Sequence, residues 1–272
     1  MKIENCHIGF VGFGHMAQIM CKALENAKVV PRSQILFHRR DPSKAKKNEQ
    51  DFGITATSLG HLMDQSNLLL ICVRPNQAEF VFRDMAQLNP DSKMFASVMA
   101  GIQLSFLQKH LGSKAQLVRV MPNIASSVAE GMSLLSFLGH PSIEFRSLIN
   151  LLFGSMGQTI EIAEKQMDIG CGMAGSGPGF VLELIEAMAK IGEKEGIAYN
   201  KALKIAAQTF IGAAKLIQKG EMPRDLLYQI ATPGGTTQAG LDVLRQEQVP
   251  ERLTAAIQAA AMRSAQISGE YF

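Results

Sequence analysis

Through the first 160 residues or so, short apolar runs rich in β-favouring residues alternate with stretches of helical period. The apolar runs are Cys6–Val11, Gln34–His38, Leu68–Val73, Met94–Val98 and Leu117–Met121. Strands separated by helices in this rhythm build βαβ units, so the spacing predicts a parallel sheet. Strand character continues at Met132–Phe137 and Gln158–Ile162, with a helix between them at about Pro141–Phe153, and these extend the same sheet. After Ala163 the pattern changes to Ala-, Leu- and Met-rich stretches with a period near 3.6: Gly177–Glu195, Asn200–Lys219, Pro223–Ile230, Gly235–Gln246 and Pro250–Gly269. Hence the chain reads as an α/β domain over residues 1–163 followed by an all-helical domain over 164–272. Two of the helices, around Ile205–Ala214 and Leu253–Ala261, are apolar on more than one face. A helix apolar all round has to be buried, and a domain this small cannot bury several of them, so pairing with a second copy of the chain is expected.

Composition narrows the function classes. With 47% hydrophobic and 19% charged residues the chain is of ordinary globular make-up. The net charge of +3 is carried by scattered residues. The one dense basic cluster, Arg39 and Arg40 with Lys44, Lys46 and Lys47, is less than a nucleic-acid footprint needs. Cys6, Cys21, Cys72 and Cys171 have neither metal-ligand spacing nor the density of a disulfide scaffold, so reduced thiols in a cytoplasmic protein are expected, with no metal. No uncharged apolar run of 18 residues and no charged leader is present, and neither a membrane span nor a targeting signal is expected.

The first strand leads into Gly12-Phe13-Gly14-His15-Met16-Ala17, a G-x-G-x-x-A fingerprint placed between a strand and a helix. The first glycine makes the tight turn, the second lets backbone reach a pyrophosphate, and Ala17 keeps the helix close to the sheet, so a dinucleotide is the expected cofactor. The second strand ends in His38-Arg39-Arg40, which offers positive charge to a 2′-phosphate and points to NADP. NAD stays open because Asp41 follows and could serve a ribose hydroxyl. Ligands of open parallel sheets lie beyond the carboxyl ends of the strands. That places Val73-Arg74-Pro75, Ala100-Gly101 and Asn123 among the candidate cofactor contacts, Asn123 near a carboxamide.

In the helical part, Thr232-Pro233-Gly234-Gly235-Thr236-Thr237 is a rigid turn running straight into a helix. Pro233 fixes its φ, the glycines permit close approach, and two hydroxyl residues stand at the N-cap and first turn. Free N–H groups at the positive end of a helix make this a site for a small anion.

Taken in order, Gly9–Ala17, Val73-Arg74-Pro75, Arg119-Val120-Met121-Pro122-Asn123, Gly175-Ser176-Gly177-Pro178 and Pro233–Leu241 resemble the pyrroline-5-carboxylate reductase family over the full length. The resemblance implies an N-terminal Rossmann-like parallel-sheet domain and an all-helical dimerisation domain interlocked with that of a second subunit. It also implies NAD(P)H-dependent reduction of a small cyclic imino acid to proline, in a homodimer or a higher homo-oligomer. By the same resemblance Thr237 is the catalytic hydroxyl, bonded to the ring nitrogen. The backbone of Gly235, Thr236 and Thr237 and the hydroxyl of Thr232 hold the carboxylate, with Gly234 in the turn and Ser176 nearby. A protonated imine accepts hydride once it is held against a nicotinamide, so a neutral hydroxyl suffices as its partner. Departures from the family pattern are Arg74 where Lys is common, Ile124-Ala125 for Thr-Pro, and Thr232 for Ser. Ala174 and Phe180 stand where Ser and Tyr are common, and Met222 replaces a His. These leave open another cyclic imino acid as substrate; a non-catalytic, regulatory dinucleotide-binding paralogue is a separate alternative, against which the intact Thr236-Thr237 pair argues.

Overall fold

The computed structural model describes residues 6–271. Eight strands form one sheet: β1 (Ile8–Val11), β2 (Ile35–His38), β3 (Thr55–Ala56), β4 (Leu68–Ile71), β5 (Met94–Ser97), β6 (Gln116–Met121), β7 (Gly131–Phe137) and β8 (Gly157–Glu161). Their order is β3-β2-β1-β4-β5-β6-β7-β8. All neighbours run parallel except β6 and β7, which are antiparallel. That pair departs from the parallel pairing the strand rhythm predicts. The connection, residues 122–130, is too short for the crossover a parallel pair requires, so the chain turns back on itself. The two-residue β3 also escapes the apolar pattern, since it is a short edge strand with an exposed Thr55.

Helices α1 (His15–Asn26), α2 (Pro42–Phe52), α3 (Leu59–Gln65), α4 (Ala78–Ala86), α5 (Leu104–Leu111) and α6 (Ile143–Gly154) connect the strands. Apolar residues of α1, α2 and α6 join one core with Ile8, Phe10 and Phe37, while those of α3, α4 and α5 join a second with Val11, Leu69 and Phe95. Alternate residues of the central strands therefore go to opposite layers, as in a sheet covered on both faces. Helix ends follow local chemistry. Asp41 caps α2 by accepting from the N–H of Ser43 (3.1 Å) and of Lys44 (3.2 Å), Pro42 follows at the first helical position, and Gly53 closes the helix in the left-handed region. The Ser43 hydroxyl, 2.6 Å away, adds to these bonds and holds the Asp41 carboxyl down at about 2. Because the folded value is depressed, this cap contributes fully above the ordinary carboxylate range and is lost as pH falls through about 2.

The C-terminal part contains α7 (Met167–Gly170), one π-helical turn at Cys171–Gly175, α8 (Gly177–Lys194), α9 (Tyr199–Gln218), α10 (Pro223–Ile230), α11 (Thr236–Gln246) and α12 (Val249–Tyr271). The chain divides into two units, Met1–Ser176 with Ala259–Phe272, and Gly177–Gln258. In the first, the end of α12 returns to the sheet unit, where the Ser264 hydroxyl donates to Asp168 at 2.8 Å. In the second, α8 and α9 approach so closely that a Cβ on Gly192 would stand 2.9 Å from the Ala202 Cβ. Among the described residues of this unit only Ala189, Ala202 and Ala206 are buried, while Leu182, Ile191, Ile205, Ile230 and Val243 are each more than half exposed. A helical unit so short of buried side chains has its apolar faces open for a partner. No helix among the described residues is long and apolar enough to cross a membrane.

Candidate active site

Where β1 ends, Gly12 adopts φ +87°, and a Cβ there would stand 2.7 Å from Val73 Cγ1 and 3.1 Å from the Cys72 carbonyl. Only glycine fits such a turn without strain. The Gly12 N–H donates to the His38 carbonyl at 2.9 Å, which ties the turn to the end of β2. Phe13 points inward, its ring centroid 4.6 Å from Phe37, 5.2 Å from Phe52 and 5.5 Å from Phe10. Its buried ring anchors the loop, worth about 3 kcal/mol for a phenylalanine so placed, and only its backbone is left for a ligand. Gly14 is the N-cap of α1; no side chain caps the helix, and nothing lies within 4 Å of where its Cβ would stand. The first N–H groups of α1 are thus free beside open space, the arrangement that accepts a phosphate. His15 is exposed, Met16 is half-buried against the core, and Ala17 is fully buried, so this part of the fingerprint serves packing and supplies backbone N–H groups.

A cavity of about 460 Å³ lies at this turn, lined by Gly12, Gly14, His38, Arg39, Arg40, Asp41, Lys44, Val73 and Arg74 among others. The cations differ in their commitments. Arg39 is half-buried and donates through Nη1 to the Phe13 carbonyl at 2.7 Å, a carbonyl that also accepts from Asn48 Nδ2 at 3.3 Å. It braces the glycine turn from beneath. Arg40 is exposed, and Lys44 Nζ lies 3.5 Å from Asp41. Asp41 is held by its helix cap, which occupies the carboxylate that could have served a ribose. His38 is anchored by its Nδ1 to the Thr57 carbonyl at 3.0 Å. Lys44 was not singled out as a cofactor contact from the sequence. The signal for it is Asp41-Pro42, which starts α2 and turns the third helical residue toward the cavity.

Beyond the other strands the candidates divide. Val73 closes on Gly12, Arg74 is exposed and lines the cavity, and Pro75 opens the short 3₁₀ turn that follows. Ala100 is half-buried and packs against Met121, Leu134 and Met167. Gly101 is in the left-handed region, φ +75°, and α12 packs against it: a Cβ would stand 2.9 Å from Ile267 and 3.0 Å from the Ser264 carbonyl. Asn123 is buried, and its amide makes three bonds within the protein. Nδ2 donates to the Ala174 carbonyl at 3.0 Å while Oδ1 accepts from the N–H of Ala125 at 3.1 Å and of Met132 at 3.4 Å. The structure therefore gives Asn123 and Gly101 roles within the fold.

In the helical unit, Gly234 takes φ +75° and the Gly235 N–H closes the turn on the Thr232 carbonyl at 2.9 Å. A hydroxyl was expected at the N-cap of α11; Gly235 occupies it, with Thr236 and Thr237 as the first two helical residues and no side chain capping them. The Thr232 hydroxyl is the reason. A Cβ at position 235 would lie 2.6 Å from Thr232 Oγ1 and 3.0 Å from the Thr232 carbonyl, so a side chain there would force Thr232 to shift. The N–H groups of the first turn are left free for an anion, with the half-buried Thr237 beside them. In the sheet unit, Ser176 is half-buried, and its N–H donates to the Cys171 carbonyl at 2.9 Å, closing the π-turn.

Comparison with known proteins agrees with this architecture. Residues 164–267 match the family model described as pyrroline-5-carboxylate reductase dimerisation, and residues 7–101 match that of NADP oxidoreductase, coenzyme F420-dependent. Pyrroline-5-carboxylate reductase 1 of Bacillus spizizenii is 33% identical over 266 residues, which cover 97% of this chain and 90% of that protein. The chain belongs to the pyrroline-5-carboxylate reductase family. The reductase of Pisum sativum is 35% identical, with 97% of each chain covered. Among solved structures, the Plasmodium falciparum pyrroline carboxylate reductase with NADP bound superposes with a TM-score of 0.87 at 26% identity, covering 97% of this chain and 99% of that one.

Proposed function

We propose that the protein reduces 1-pyrroline-5-carboxylate to proline with NADPH. The observation that carries this reading is the uncapped, glycine-opened start of α11 with Thr236 and Thr237 in its first turn, in a chain of this family. The residues of the cavity suit a dinucleotide: a turn only glycine can make, open space beside Gly14, free N–H groups at α1, and two cations at the end of β2. When bound, the reduced nicotinamide supplies the hydride that adds to the carbon of the C=N bond. The chain's own part is to hold and orient the imine. The N–H groups of Gly235, Thr236 and Thr237 and the hydroxyl of Thr232 hold its carboxylate, assisted by the turn at Gly234 and by Ser176. The Thr237 hydroxyl bonds the ring nitrogen, fixing which face of the ring is offered and relaying a proton between that nitrogen and water. The helical part from residue 164, where the dimerisation model begins, pairs with a second copy. The free thiols accord with a reducing, cytoplasmic setting. Conversion of the five-membered imine to proline, one molecule per NADPH consumed, tests the reading; oxidation of NADPH without proline would refute it.

Arg39→Ala should weaken NADPH and NADH alike, by about tenfold each, because it loosens the Phe13 carbonyl that both cofactors meet through the turn. Replacing Arg40 and Lys44 together by Ala should weaken NADPH by about tenfold or more and leave NADH nearly unchanged. Fluorescence titration with each cofactor separates the two, and an Arg39→Ala loss confined to NADPH would reverse the assignment. Ile191→Asp with Ile205→Asp, on the exposed faces of α8 and α9, should convert the assembled protein to monomers in sedimentation and abolish turnover. An unchanged sedimentation coefficient would show that these faces do not pair.

A further inference from the structure

We infer that Asn123 is a positioning residue for the substrate side of the reaction, acting by supplying a hydrogen bond that Pro178 cannot. This deepens the proposed function and rests on its assignment of Ser176 to the substrate. The residues Cys171–Gly175 form a π-turn, closed by the Ser176 N–H on the Cys171 carbonyl at 2.9 Å, and α8 begins at Gly177. π-turns are less stable than α-helical ones and persist where other contacts hold them. The Ala174 carbonyl would find its helical donor four residues on, at Pro178, which has no N–H. Asn123 Nδ2 stands in for that donor at 3.0 Å. The donor is itself rigidly held, because Asn123 is buried and its Oδ1 accepts two backbone N–H groups, one capping the short helical turn after β6. A second grip comes from the same strand: buried Arg119 on β6 pairs with Glu164 at 3.3 Å and lies 4.0 Å from Asp168, at the start of the segment that ends in Ser176. Thus β6 and its following loop hold residues 164–176 at both ends, and Asn123 holds the end next to Ser176. The Oδ1 of this amide is fully engaged and one of its two N–H donors is given to Ala174, so its position is set by the protein.

Asn123→Asp keeps an oxygen for the Ala125 N–H and loses the donor to Ala174; in Asn123→Ser the side chain ends one atom short of the amide nitrogen, so its hydroxyl does not replace that donor. In each, kcat/KM for the imino acid should fall by about tenfold or more while the NADPH dissociation constant stays within about twofold of wild type. Hydrogen exchange should speed up in the peptide spanning Cys171–Gly179 and remain unchanged in the β1–α1 turn. Loss of NADPH affinity matching the loss of kcat/KM would overturn the inference and return Asn123 to the cofactor. So would unchanged exchange around Cys171–Gly179, or an unchanged kcat/KM in a folded variant. If the wild-type protein shows no imine reduction the proposed function fails, and NADPH titration with hydrogen exchange still decides the Asn123 assignment.

Discussion

Gly12→Ala should remove NADPH binding almost entirely and lower stability by about 1–3 kcal/mol, whereas Gly14→Ala should lose affinity at unchanged stability. The contrast comes from what each new methyl group would meet. At position 12 the backbone has φ +87°, and the methyl would press on Val73 and on the Cys72 carbonyl, so the turn itself must move. Moving it displaces the N–H that bonds the His38 carbonyl, and with it the end of β2 that carries the cations. At position 14 nothing of the protein lies within 4 Å, and the methyl group would stand in the space beside the start of α1. It would therefore compete only with a ligand, costing about a hundredfold in affinity if a pyrophosphate packs there. Thermal unfolding and NADPH fluorescence titration of both variants measure the two effects. Wild-type affinity in Gly14→Ala would show that the phosphates do not lie at this turn.

Thr237→Ala should lower kcat by about a hundredfold while leaving the NADPH KM near the wild-type value. Thr237 is the second residue of α11, half-buried, and free of any capping bond, so its hydroxyl is available to a ligand. Removing the hydroxyl together with the γ-methyl leaves the helix start intact, since no side chain caps it, and the carboxylate still finds the backbone N–H groups. Its loss is felt at the ring nitrogen, and hence in the hydride-transfer step more than in binding. Gly235→Ala has the opposite signature. Its Cβ would stand 2.6 Å from the Thr232 hydroxyl and 3.0 Å from the Thr232 carbonyl, distorting the anion site, so the imino-acid KM should rise more than kcat falls. Steady-state kinetics with each substrate varied in turn separate the two variants. Equal loss of NADPH affinity and turnover in Thr237→Ala would contradict its assignment to the imine.

Much of this architecture can be read in the sequence, because period and punctuation are local. Pro223–Ile230 has the bounds expected from its flanking Met-Pro and Ala-Thr-Pro, and the strands fall within about two residues of their apolar runs. The antiparallel β6–β7 pair was not legible from apolar runs alone, since an apolar run is the same whichever way it is paired; the length of the connection decides it. Side-chain commitments are tertiary, and there the sequence says least. Arg39 and Arg40 are adjacent and of one charge type, yet one donates to the loop beneath the cofactor turn and the other faces solvent. Asn123 has the chemistry for a carboxamide but is engaged by Ala174, Ala125 and Met132, partners up to 51 residues away in sequence. Gly101 could be taken for a ligand's glycine, and it is α12 that packs against it. The Gly235 N-cap is a case where a local rule was displaced by a neighbour: Ser, Thr, Asp or Asn is preferred there, and the Thr232 hydroxyl takes the room.

The central claim is that this chain transfers hydride from NADPH to a five-membered cyclic imino acid. It is tested most directly by following NADPH oxidation with the purified protein against 1-pyrroline-5-carboxylate and, in parallel, against the six-membered imine carboxylate. The account predicts turnover of the five-membered imine, with proline formed in the amount of NADPH consumed and a lower kcat/KM for the larger ring. No turnover of the five-membered imine, or a clear preference for the six-membered one, would contradict it.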